Sequence, residues 1–515
     1  MITVDLIQPN RYQDSVTLMQ VAGQARALPG IADAALMMGT DPNKEMLRDA
    51  GLLTDEGAAA GPNDLIIALR GTEDGVAGAR GQIDDLLRLE VPAGGTRERE
   101  APHSLAAGVA AMPEANLVLI STPGLYAAAE ARKALLGGRH VMIFSDNVSL
   151  DDEQQLKALA TERGLLLMGP DCGTAIIGGV PLGFANVVRR GNIGVVGASG
   201  TGMQEVTTLI DRYGGGVSHA IGTGSHDLAA RIGGVMTIAG LRALLDDPGT
   251  DVIVVVSKPP HPDVAKRVAE AASAATKSVI FAFLGMDTGE RILNRGNSKL
   301  RMVATLEDAA RQAVALAGGH PPAADPVGVE AVEAVRSGLS PEQRYVRGLF
   351  SGGTFCYEAM LLLREAVGGV YSNTPLAPEW ALPDPPHSYQ NTCLDLGADE
   401  FTVGRPHPMI DLSVRADRIV AEAADPQVAV LLLDVVLGYG AHPDPAGGLA
   451  PAIHAARAQA EAAGRPLPVI ASICGTAGDP QHLDQQQRTL AEAGVILAPS
   501  NAAAARLAAR VLSAE

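Results

Sequence analysis

Two stretches of sequence decide the fold, NIGVVGASGTGMQE at residues 192–205 and RGLFSGGTFCYE at residues 347–358. Each is a continuous apolar run followed by a glycine turn and the start of a helical pattern. Continuous runs of this kind are typical of parallel strands that are covered on both faces. Both stretches contain Gly-Thr-x-x-x-Glu at the strand-to-helix turn. The shared pattern predicts an internal repeat of two lobes, with binding sites at the carboxyl ends of their strands.

The repeat continues downstream of both glycine turns. VIVVVSKPPHPD at residues 252–263 parallels VAVLLLDVVLGYGAHPD at residues 428–444, and both end in His-Pro-Asp. Similar apolar runs, among them DLIIAL, NLVLIST and HVMIFS, alternate with Ala-rich helical patterns through the rest of the chain. Strands that alternate with helices form βαβ units and parallel sheets. The sequence therefore predicts an α/β protein with two flavodoxin-like lobes that face each other.

Changes in composition divide the chain into four predicted domains. Pro- and Gly-rich segments at residues 91–104 and 317–343 are typical of linkers, and a softer break falls at residues 188–192. The predicted domains span residues 1–95, 104–190, 191–320 and 344–515. The first reads as strand, helix (15–28), strand (34–38), helix, strand and helix. This order is compatible with a small ferredoxin-like α/β sandwich.

The composition indicates the class of protein and its compartment. The chain of 515 residues has 58 acidic and 40 basic side chains and a formal charge of −18. The acidic balance argues against a nucleic acid or a membrane surface as partner, because both are themselves anionic. No apolar run approaches the ~18 residues of a membrane span, and residues 1–15 lack the features of a secretory signal. We therefore expect a cytoplasmic protein, whose four isolated cysteines form neither disulfides nor a metal clamp.

Glycine turns at four predicted strand ends are the candidate binding sites. Such a turn lets the backbone approach a ligand and presents N–H groups at a helix N-terminus, which binds anions. The alternative is that Ser, Thr and Asp at these turns only cap helices. No GxxxxGK[ST] motif is present, so the turns do not form a P-loop. The predicted phosphate- or carboxylate-binding residues are Ser199, Gly200, Thr201, Gly202, Ser351, Gly352, Gly353, Thr354, Gly475, Thr476 and Asp171.

Four other polar residues are candidate catalytic groups. Asp434 ends a predicted buried strand, where a carboxylate is costly without a partner. Arg405 and His407 lie in a Pro-flanked loop, and arginine suits bidentate capture of a carboxylate or phosphate. His442 precedes Pro-Asp at a predicted helix start, which favours a neutral imidazole. The histidines are too scattered along the sequence to predict a metal site.

Two further patterns leave their alternatives open. Lys258, at the end of VIVVVSK, either pairs with an anion or is a charge at the edge of the sheet. His226-Asp227 in GTGSHDL is either a proton-transfer pair or a cap of the loop, and we favour the cap. The cysteines at the turns would need a nearby base to act as nucleophiles, which a sequence alone does not show, so we interpret them as packing residues.

The longer motifs of the chain resemble a known family. NLVLISTPGLYAAAEARKALLGGRHVMIFSDNVS, LLLMGPDCGTAI and NIGVVGASGTGMQEVTTLIDRYGGGVSHAIGTGSHDL are similar to the alpha subunit of succinyl-CoA synthetase. DSVTLM, GLFSGGTFCYEA, GADEFTVGRPHPMID and LLLDVVLGYGAHPDPAGGLAP resemble FdrA, a long relative of that subunit. Together these motifs extend from Asp14 to Pro451. The resemblance implies a Rossmann-like, CoA-binding-type domain at residues 104–190, followed by two succinyl-CoA-synthetase-type lobes at residues 191–320 and 344–515.

Two departures from the synthetase pattern bear on activity. The synthetase has a glycine turn that cradles CoA phosphates in the region that matches PHSLAAGVAAMPEANLVLI, and this chain lacks it there. We therefore expect CoA binding to be weak or absent. The synthetase also relays phosphate through a histidine after the strand that aligns with VIFAFLG, where this chain continues MDTGERILNRGNSKL without a histidine. His482, in GTAGDPQHLD, is an alternative relay residue, although Asp-Pro there favours a helix start.

The FdrA resemblance implies a subunit of an oxamate carbamoyltransferase in allantoin catabolism. That reaction exchanges carbamoyl phosphate and oxamate with oxalurate and phosphate. Direct transfer of this kind needs positioned donors for a phosphate, a carboxylate and an oxyanion, but no covalent intermediate. The resemblance also implies other protein subunits as partners, beside a small phosphate or carboxylate substrate. Two alternatives remain, an acyl-CoA synthetase of the succinyl-CoA ligase class and a non-catalytic scaffold or regulatory subunit.

Overall fold

The computed structural model describes residues 1–11, 13, 15–89, 102–286, 297–323, 329–402 and 406–513. The chain forms two units. Unit 1 comprises residues 1–114, 121–123 and 397–411, and unit 2 comprises residues 115–120, 124–396 and 412–515.

The helices and strands alternate along most of the described chain. In the first part they are β1 (Ile2–Gln8), α1 (Ser15–Arg26), β2 (Ile31–Met38), α2 (Asp41–Asp49), α3 (Asp55–Ala59), β3 (Leu65–Gly71), α4 (Glu73–Leu89), α5 (Leu105–Ala111), β4 (Leu117–Ile120), α6 (Gly124–Leu136), β5 (His140–Ile143), α7 (Leu150–Glu162), β6 (Leu167–Met168), β7 (Thr174–Ile177) and β8 (Val180–Gly183).

The remaining elements contain both copies of the repeat. They are β9 (Arg190–Gly197), α8 (Gly200–Arg212), β10 (Val217–Gly222), α9 (Val235–Asp246), β11 (Val252–Ser257), α10 (Pro262–Ala271), β12 (Ser278–Phe283), β13 (Leu300–Met302), α11 (Leu306–Leu316), α12 (Val329–Arg336), β14 (Tyr345–Phe350), α13 (Gly353–Val367), a 3-10 helix (Pro378–Trp380), β15 (Thr392–Asp395), α14 (Asp399–Thr402), α15 (Ser413–Glu422), β16 (Val428–Val436), α16 (Pro445–Ala462), β17 (Val469–Cys474), α17 (Leu483–Glu492), β18 (Val495–Ala498) and α18 (Asn501–Leu512).

Unit 1 is built on a three-stranded antiparallel sheet in the order β1-β3-β2. Helices α1 and α4 pack together and contact this sheet. The core that they cover includes Val21, Ala25 and Ile67, which are buried. The ion pair between Arg26 and Asp411 ties the segment 397–411 into this unit. The predicted small α/β domain is present, but two helices, α2 and α3, lie between β2 and β3 where the sequence predicts one.

Unit 2 contains three parallel or mostly parallel sheets. Strands β4-β5-β6 form a small parallel sheet, and β13-β12-β11-β9-β10-β7-β8 form a seven-stranded sheet in which only β7 and β8 run antiparallel to their neighbours. Strands β15-β14-β16-β17-β18 form a parallel sheet of five. Most strands in these sheets are buried along their length, as β11 and β16 show, which is why their sequences read as continuous apolar runs. The α/β class with parallel sheets is confirmed.

The repeat gives two lobes with related topology in unit 2. Lobe 1 is built on the seven-stranded sheet, and lobe 2 on the five-stranded sheet. Strands β7 and β8, from the predicted second domain, join the sheet of lobe 1, and residues 397–411, from the predicted fourth domain, belong to unit 1. The limits of the four domains stay predictions.

No helix among the described residues is long and apolar enough to cross a membrane.

Candidate functional site

The repeated glycine turns lie directly against each other. Ser199 caps α8, since its Oγ accepts from the N–H of Gly202 at 3.1 Å. The same Oγ lies 2.6 Å from Oγ1 of Thr354, which is buried in the first turn of α13. A Cβ on Gly352 would lie 2.9 Å from a methyl carbon of Thr201, so the glycine permits this close approach. The two turns therefore meet at the junction of the lobes.

The glutamates of the repeated motif bind across this junction. Glu205 of α8 accepts from the N–H of Asn501 at 3.0 Å, and Glu358 of α13 accepts from the N–H of Leu306 at 2.8 Å. Asn501 and Leu306 are the first residues of α18 and α11, whose N–H groups have no partner inside the helix. Each lobe thus caps a helix of the other. The glutamates of the motif therefore join the two lobes.

Burial changes the protonation of both glutamates. Desolvation raises the pKa of Glu205 to about 7, and the nearby Glu358 raises it further in the same direction. Desolvation likewise raises the pKa of Glu358 to about 7, against the hydrogen bonds from Asn501 and Leu306. The Nδ2 of Asn501 also donates to Glu358 at 2.7 Å. The lobe junction therefore contains two carboxyl groups that titrate near neutral pH.

The strand registers show that the two lobes differ at the carboxyl ends of their strands. In lobe 1 the last residue of β9, Gly197, pairs with Val256 and Gly222. The corresponding residue of lobe 2, Phe350, pairs with Asp395 on one side. On its other side, the register of Leu349 with Leu433 places Phe350 beside Asp434. Lobe 2 therefore has two carboxylates where lobe 1 has apolar residues. Asp434 stands at the position that Val256 has in lobe 1, and Asp395 stands at the position that Gly222 has in lobe 1.

Asp434 occupies the turn of lobe 2. Its carboxylate accepts from the N–H of Ser351 at 2.8 Å, from the Oγ of Ser351 at 2.8 Å and from the N–H of Gly352 at 2.9 Å. Arg415, which is also buried, donates to it at 2.9 Å and supplies the partner that a buried carboxylate requires. A Cβ on Gly353 would lie 2.3 Å from Oδ2 of Asp395. The turn predicted to bind phosphate is thus filled by carboxylates of the chain.

The predicted site at Gly475 and Thr476 is filled in the same way. The N–H of Thr476 donates to Asp479 at 2.8 Å, and its hydroxyl donates to the carbonyl of Val187 at 2.5 Å. Asp479 also accepts from the N–H of Val187 and from Asn186, at 2.7 and 2.8 Å. These bonds join the β17–α17 turn to the segment before β9. The donors predicted for an anion therefore serve the packing of lobe 2 against lobe 1.

The turn of lobe 1 keeps its donors open. Among the residues that the structure describes, none accepts from the N–H of Gly200 or Thr201, the first two of α8, and Gly200 is exposed. Lys258 is exposed just after β11, and β11 and β9 are adjacent strands. The chain passes from one side of β9 to the other between β10 and β11, so this edge is the topological switch point of the sheet, where ligands bind. The N-terminus of α8 and Lys258 both favour an anion there.

Asp171 lies at the same carboxyl edge of lobe 1. It follows β6 with a φ of 54° and donates its N–H to the carbonyl of Ser145 at 3.0 Å. Desolvation raises the pKa of its carboxyl, while a hydrogen bond from Ser225 and the charges of His226 and Lys258 oppose that shift. The role predicted for Asp171 in binding a phosphate or carboxylate substrate stays a prediction.

His226 and Asp227 have separate partners. Asp227 is fully buried and caps α9, since it accepts from the N–H of Thr237 at 2.8 Å. It also pairs with Lys157 at 2.9 Å. His226 is half-exposed, and its Nδ1 lies 3.2 Å from Oε2 of Glu153. The preferred interpretation of Asp227 as a cap is therefore the one that the structure supports.

The remaining candidates are His442, His407 and Arg405. Nδ1 of His442 accepts from the N–H of Asp444 at 3.0 Å, and desolvation lowers the pKa of this imidazole. His407 belongs to unit 1, where its Nδ1 accepts from the N–H of Met409. Arg405 lies outside the described residues. The catalytic roles of these residues and of Asp434 stay predictions.

The cysteines are buried packing residues, and all four are free thiols. Burial raises the pKa of Cys172 and of Cys393 to about 12. A thiol with a raised pKa is a poor nucleophile. The interpretation of these residues as packing groups agrees with their surroundings.

Sequence reasoning missed three residues that organise these sites. Arg415 and Asp395 fill the turn of lobe 2, and Glu153 supports His226. Of these three, only Arg415 could have been expected from the sequence, because Asp434 at the end of a buried strand requires a cationic partner somewhere in the chain. That partner is Arg415, 19 residues earlier in α15.

Comparison with known families defines the class of protein. A CoA-ligase family model matches residues 349–511, and a CoA-binding-domain model matches residues 188–285. The AllF heavy metal-associated domain matches residues 1–102. The chain is thus a protein of the acyl-CoA ligase type with an AllF-type amino-terminal domain. The CoA-binding match falls on lobe 1 and includes its glycine turn, whereas the resemblance placed that domain at residues 104–190.

Individual relatives identify the family more closely. The chain is 45% identical over 503 residues to the protein YahF of Escherichia coli (strain K12), which is 96% of both chains. It therefore belongs to the FdrA-like family that includes YahF, and the resemblance to FdrA is confirmed. The alpha subunit of succinate–CoA ligase from Methanothermobacter thermautotrophicus is 27% identical over 189 residues, which are 36% of this chain and 62% of that subunit.

The solved structures include a dinucleotide-forming acetyl-coenzyme A synthetase 1 from Ca. Korarchaeum cryptofilum. It covers 77% of this chain and 82% of its own, with a TM-score of 0.30 and 16% sequence identity.

The family descriptions name a heavy metal and CoA, and the residues present suit them unequally. Residues 1–102 contain no cysteine and no histidine, so the heavy metal of the amino-terminal domain's description has no thiolate or imidazole ligand there. Among the described residues, no cluster of His, Cys, Asp or Glu could hold a metal ion. The open donors of Gly200 and Thr201 and the cation of Lys258 do fit a phosphate group, including one of CoA.

Proposed function

We propose that the chain is the FdrA-like subunit of a carbamoyltransferase that acts on carbamoyl phosphate and oxamate, or in reverse on oxalurate and phosphate, in allantoin catabolism. The amino-terminal match to an AllF domain and the resemblance to FdrA support this choice of reaction. The observation that carries the proposal is the difference between the two lobes. Among the described residues, the turn of lobe 1 has N–H donors without an acceptor and an exposed lysine after the adjacent strand, whereas Asp434 accepts from two N–H groups in the turn of lobe 2.

The phosphate of the substrate would bind at the start of α8. The N–H groups of Gly200 and Thr201 and the ammonium group of Lys258 supply donors of the right charge. In lobe 2 the carboxylates of Asp434 and Asp395 take that place and repel an anion.

The sequence also favours direct transfer over a phosphohistidine relay. Residues 284–302, which follow the strand β12, contain no histidine. His442 is held with its Nδ1 as an acceptor, and desolvation lowers the pKa of its imidazole. It therefore suits the role of a neutral donor to an oxyanion, through Nε2–H, better than that of a phosphate carrier.

A transfer assay tests the proposal. The chain is purified with its partner subunits and given carbamoyl phosphate and oxamate, without CoA or ATP. We expect release of phosphate and formation of oxalurate. Lys258→Met should raise the KM for carbamoyl phosphate about tenfold, the effect of losing one charge-assisted bond. Lys266→Met, in an exposed pair with Glu270 on α10, is the matched control and should change nothing. Absence of oxalurate with active partner subunits contradicts the proposal.

Acyl-CoA ligation is the second candidate, and one observation favours it. The CoA-binding-domain match at residues 188–285 contains the open turn of lobe 1. If CoA binds there, Gly200 and Thr201 would hold one of its phosphates, and CoA would supply the thiol that accepts the acyl group. Consumption of CoA and ATP in the same preparation, without transfer to oxamate, would favour this candidate. A scaffold would be favoured if side chains filled the strand-end turns of both lobes, and the N–H groups of Gly200 and Thr201 have no acceptor among the described residues.

A further inference from the structure

We propose that His226 and Glu153 form an acid–base pair at the carboxyl edge of the lobe 1 sheet, and that His226 moves the proton between the two substrates of the transfer. This inference rests on the proposed function and adds the group that the reaction needs for its proton. His226 follows β10, next to the edge that carries Gly200 and Lys258. Glu153 lies in the first turn of α7.

The carboxyl group that contacts His226 belongs to a buried cluster of charged side chains. Glu153 is fully buried, and its Oε1 lies 2.7 Å from Nζ of Lys157, which is 1% exposed. Lys157 also donates to Asp227 at 2.9 Å and to the carbonyl of Thr223 at 3.0 Å, and it meets Glu153 as an ion pair without a hydrogen bond to Oε1. Placing these charges out of water is costly, and their pairing offsets that cost. The cluster therefore holds the carboxyl group of Glu153 facing His226.

This arrangement selects one tautomer of the imidazole. A carboxylate only accepts hydrogen bonds, so Nδ1 of His226, 3.2 Å from Oε2 of Glu153, carries the proton. Nε2 then has a free lone pair, which is the state of a general base. The neighbouring residue Asp227 anchors the loop that carries His226. Asp227 accepts hydrogen bonds from the backbone N–H and the hydroxyl of Thr237, at 2.8 and 2.7 Å.

The surroundings of His226 suit two anionic substrates and a moving proton. Asp171, which accepts a hydrogen bond from Ser225, interacts electrostatically with His226, Lys258 and Asp146. His226 is 52% exposed at its side chain, and Lys258 is exposed as well. An acyl phosphate held by the start of α8 and Lys258 would lie at the same edge of the sheet as Nε2.

The proton-transfer step balances without a further reactant. Nε2 of His226 takes a proton from the amide nitrogen of oxamate while that nitrogen forms a bond to the carbonyl carbon of carbamoyl phosphate. The bond between this carbon and the phosphate oxygen breaks, and its electron pair stays on the phosphate. The imidazolium then returns the proton to the phosphate, which leaves as hydrogen phosphate. Glu153 is a positioning residue that stabilises the imidazolium through Nδ1–H.

The first test is the transfer assay with the assembled complex. His226→Gln changes an exposed loop position and leaves the buried charges in place. It should lower kcat by about 10²–10⁴-fold, the usual contribution of a general base, with little change in the KM for carbamoyl phosphate. His387→Gln is the matched control. His387 also bonds a carboxylate, Asp384 at 2.7 Å, but both side chains are mostly exposed, and activity should be unchanged. Full activity of His226→Gln overturns the inference.

The second test detects the hydrogen bond between His226 and Glu153 without measuring the transfer reaction. Nitrogen-15 NMR of the full chain with labelled histidine should show His226 as the Nδ1–H tautomer, and Glu153→Gln should release it to a mixture. A mixture of tautomers at His226 in the unchanged chain overturns the inference. If the complex forms no oxalurate, the proposed function fails, and the tautomer of His226 alone then decides whether the pair exists.

Discussion

The hydroxyl oxygens of Ser199 and Thr354 lie 2.6 Å apart and join the two repeated turns of the chain. Ser199 also caps α8, so one side chain supports both a helix start and the junction of the lobes. With the two cross-lobe glutamates, this contact explains why the sequence repeats Gly-Thr-x-x-x-Glu. The pattern joins the lobes. The strands beside it differ, because Asp434 bonds the turn of lobe 2 and Val256 stands at that position in lobe 1.

Ser199→Ala should destabilise the protein more than the loss of an ordinary cap. A cap residue alone is worth about 1 kcal/mol, and the buried bond to Thr354 adds about 1 kcal/mol more. Ser149→Ala, at the exposed cap of α7, is the matched control and should cost only the first amount. Denaturant unfolding of both variants measures the difference. Equal losses would show that the Ser199–Thr354 bond contributes nothing.

The stability of the lobe junction should fall as the pH rises from about 4.5 to 7. Burial raises the pKa of Glu205 from an ordinary value of 4.5 to about 7, so in this window the folded chain binds more protons than the unfolded chain. The stabilisation is complete below pH 4.5 and lost above pH 7. Glu205→Gln should therefore raise the free energy of unfolding at pH 8 by roughly 1–3 kcal/mol and change it little at pH 4.5.

Unfolding curves at the two pH values measure this effect. Glu365→Gln, an exposed change on α13, serves as the control and should leave the pH dependence unchanged. An equal effect of Glu205→Gln at pH 4.5 and pH 8 would show that Glu205 is ionised in the folded chain throughout.

Asp434→Asn should be severely destabilising, because it leaves Arg415 as a buried charge without its counterion. Removing one partner of a buried ion pair costs about 3–5 kcal/mol. Glu130→Gln, which breaks the exposed pair with Lys133, should cost at most about 1 kcal/mol. Thermal unfolding of both variants provides the comparison. A stable, folded Asp434→Asn protein that lacks activity would instead support the catalytic role predicted for Asp434.

No phosphoenzyme should accumulate during turnover. The sequence after β12 lacks a histidine, and desolvation lowers the pKa of His442, which disfavours the imidazolium that a phosphohistidine relay forms. Intact-mass analysis after incubation with carbamoyl phosphate, or with ATP, should give only the mass of the unmodified chain. A stable phosphohistidine at His442, His261 or His482 would contradict direct transfer.

The elements of the fold were predictable because their signals are local. IGVVGA is the buried strand β9, MQEVTTLIDRYG continues α8, and the repeat places β14 and α13 in the same relation. The first helix, expected at residues 15–28, spans Ser15–Arg26. The membership of β7 and β8 in the lobe 1 sheet was not predictable, because the pairing of β7 with β10 joins residues more than 40 positions apart.

The sequence predicted where the glycine turns lie but not whether their donors bond other residues of the chain. The glycine turns do end parallel strands, and two of them meet at the lobe junction. Whether a turn binds a ligand or its own chain depends on residues far away in sequence, such as Asp434 for Ser351 and Asp479 for Thr476. The partners of Glu205 and His226 lie 296 and 73 residues away. No local pattern carries that information.

A crystal structure of the full chain soaked with inorganic phosphate tests the central claim most directly. The account predicts one phosphate at the start of α8, about 2.7–3.2 Å from the N–H groups of Gly200 and Thr201 and within reach of Lys258. The turn of lobe 2 should stay closed by Asp434. Phosphate bound at Ser351 and Gly352 with Asp434 displaced, or phosphate at neither turn under saturating conditions, would contradict the account.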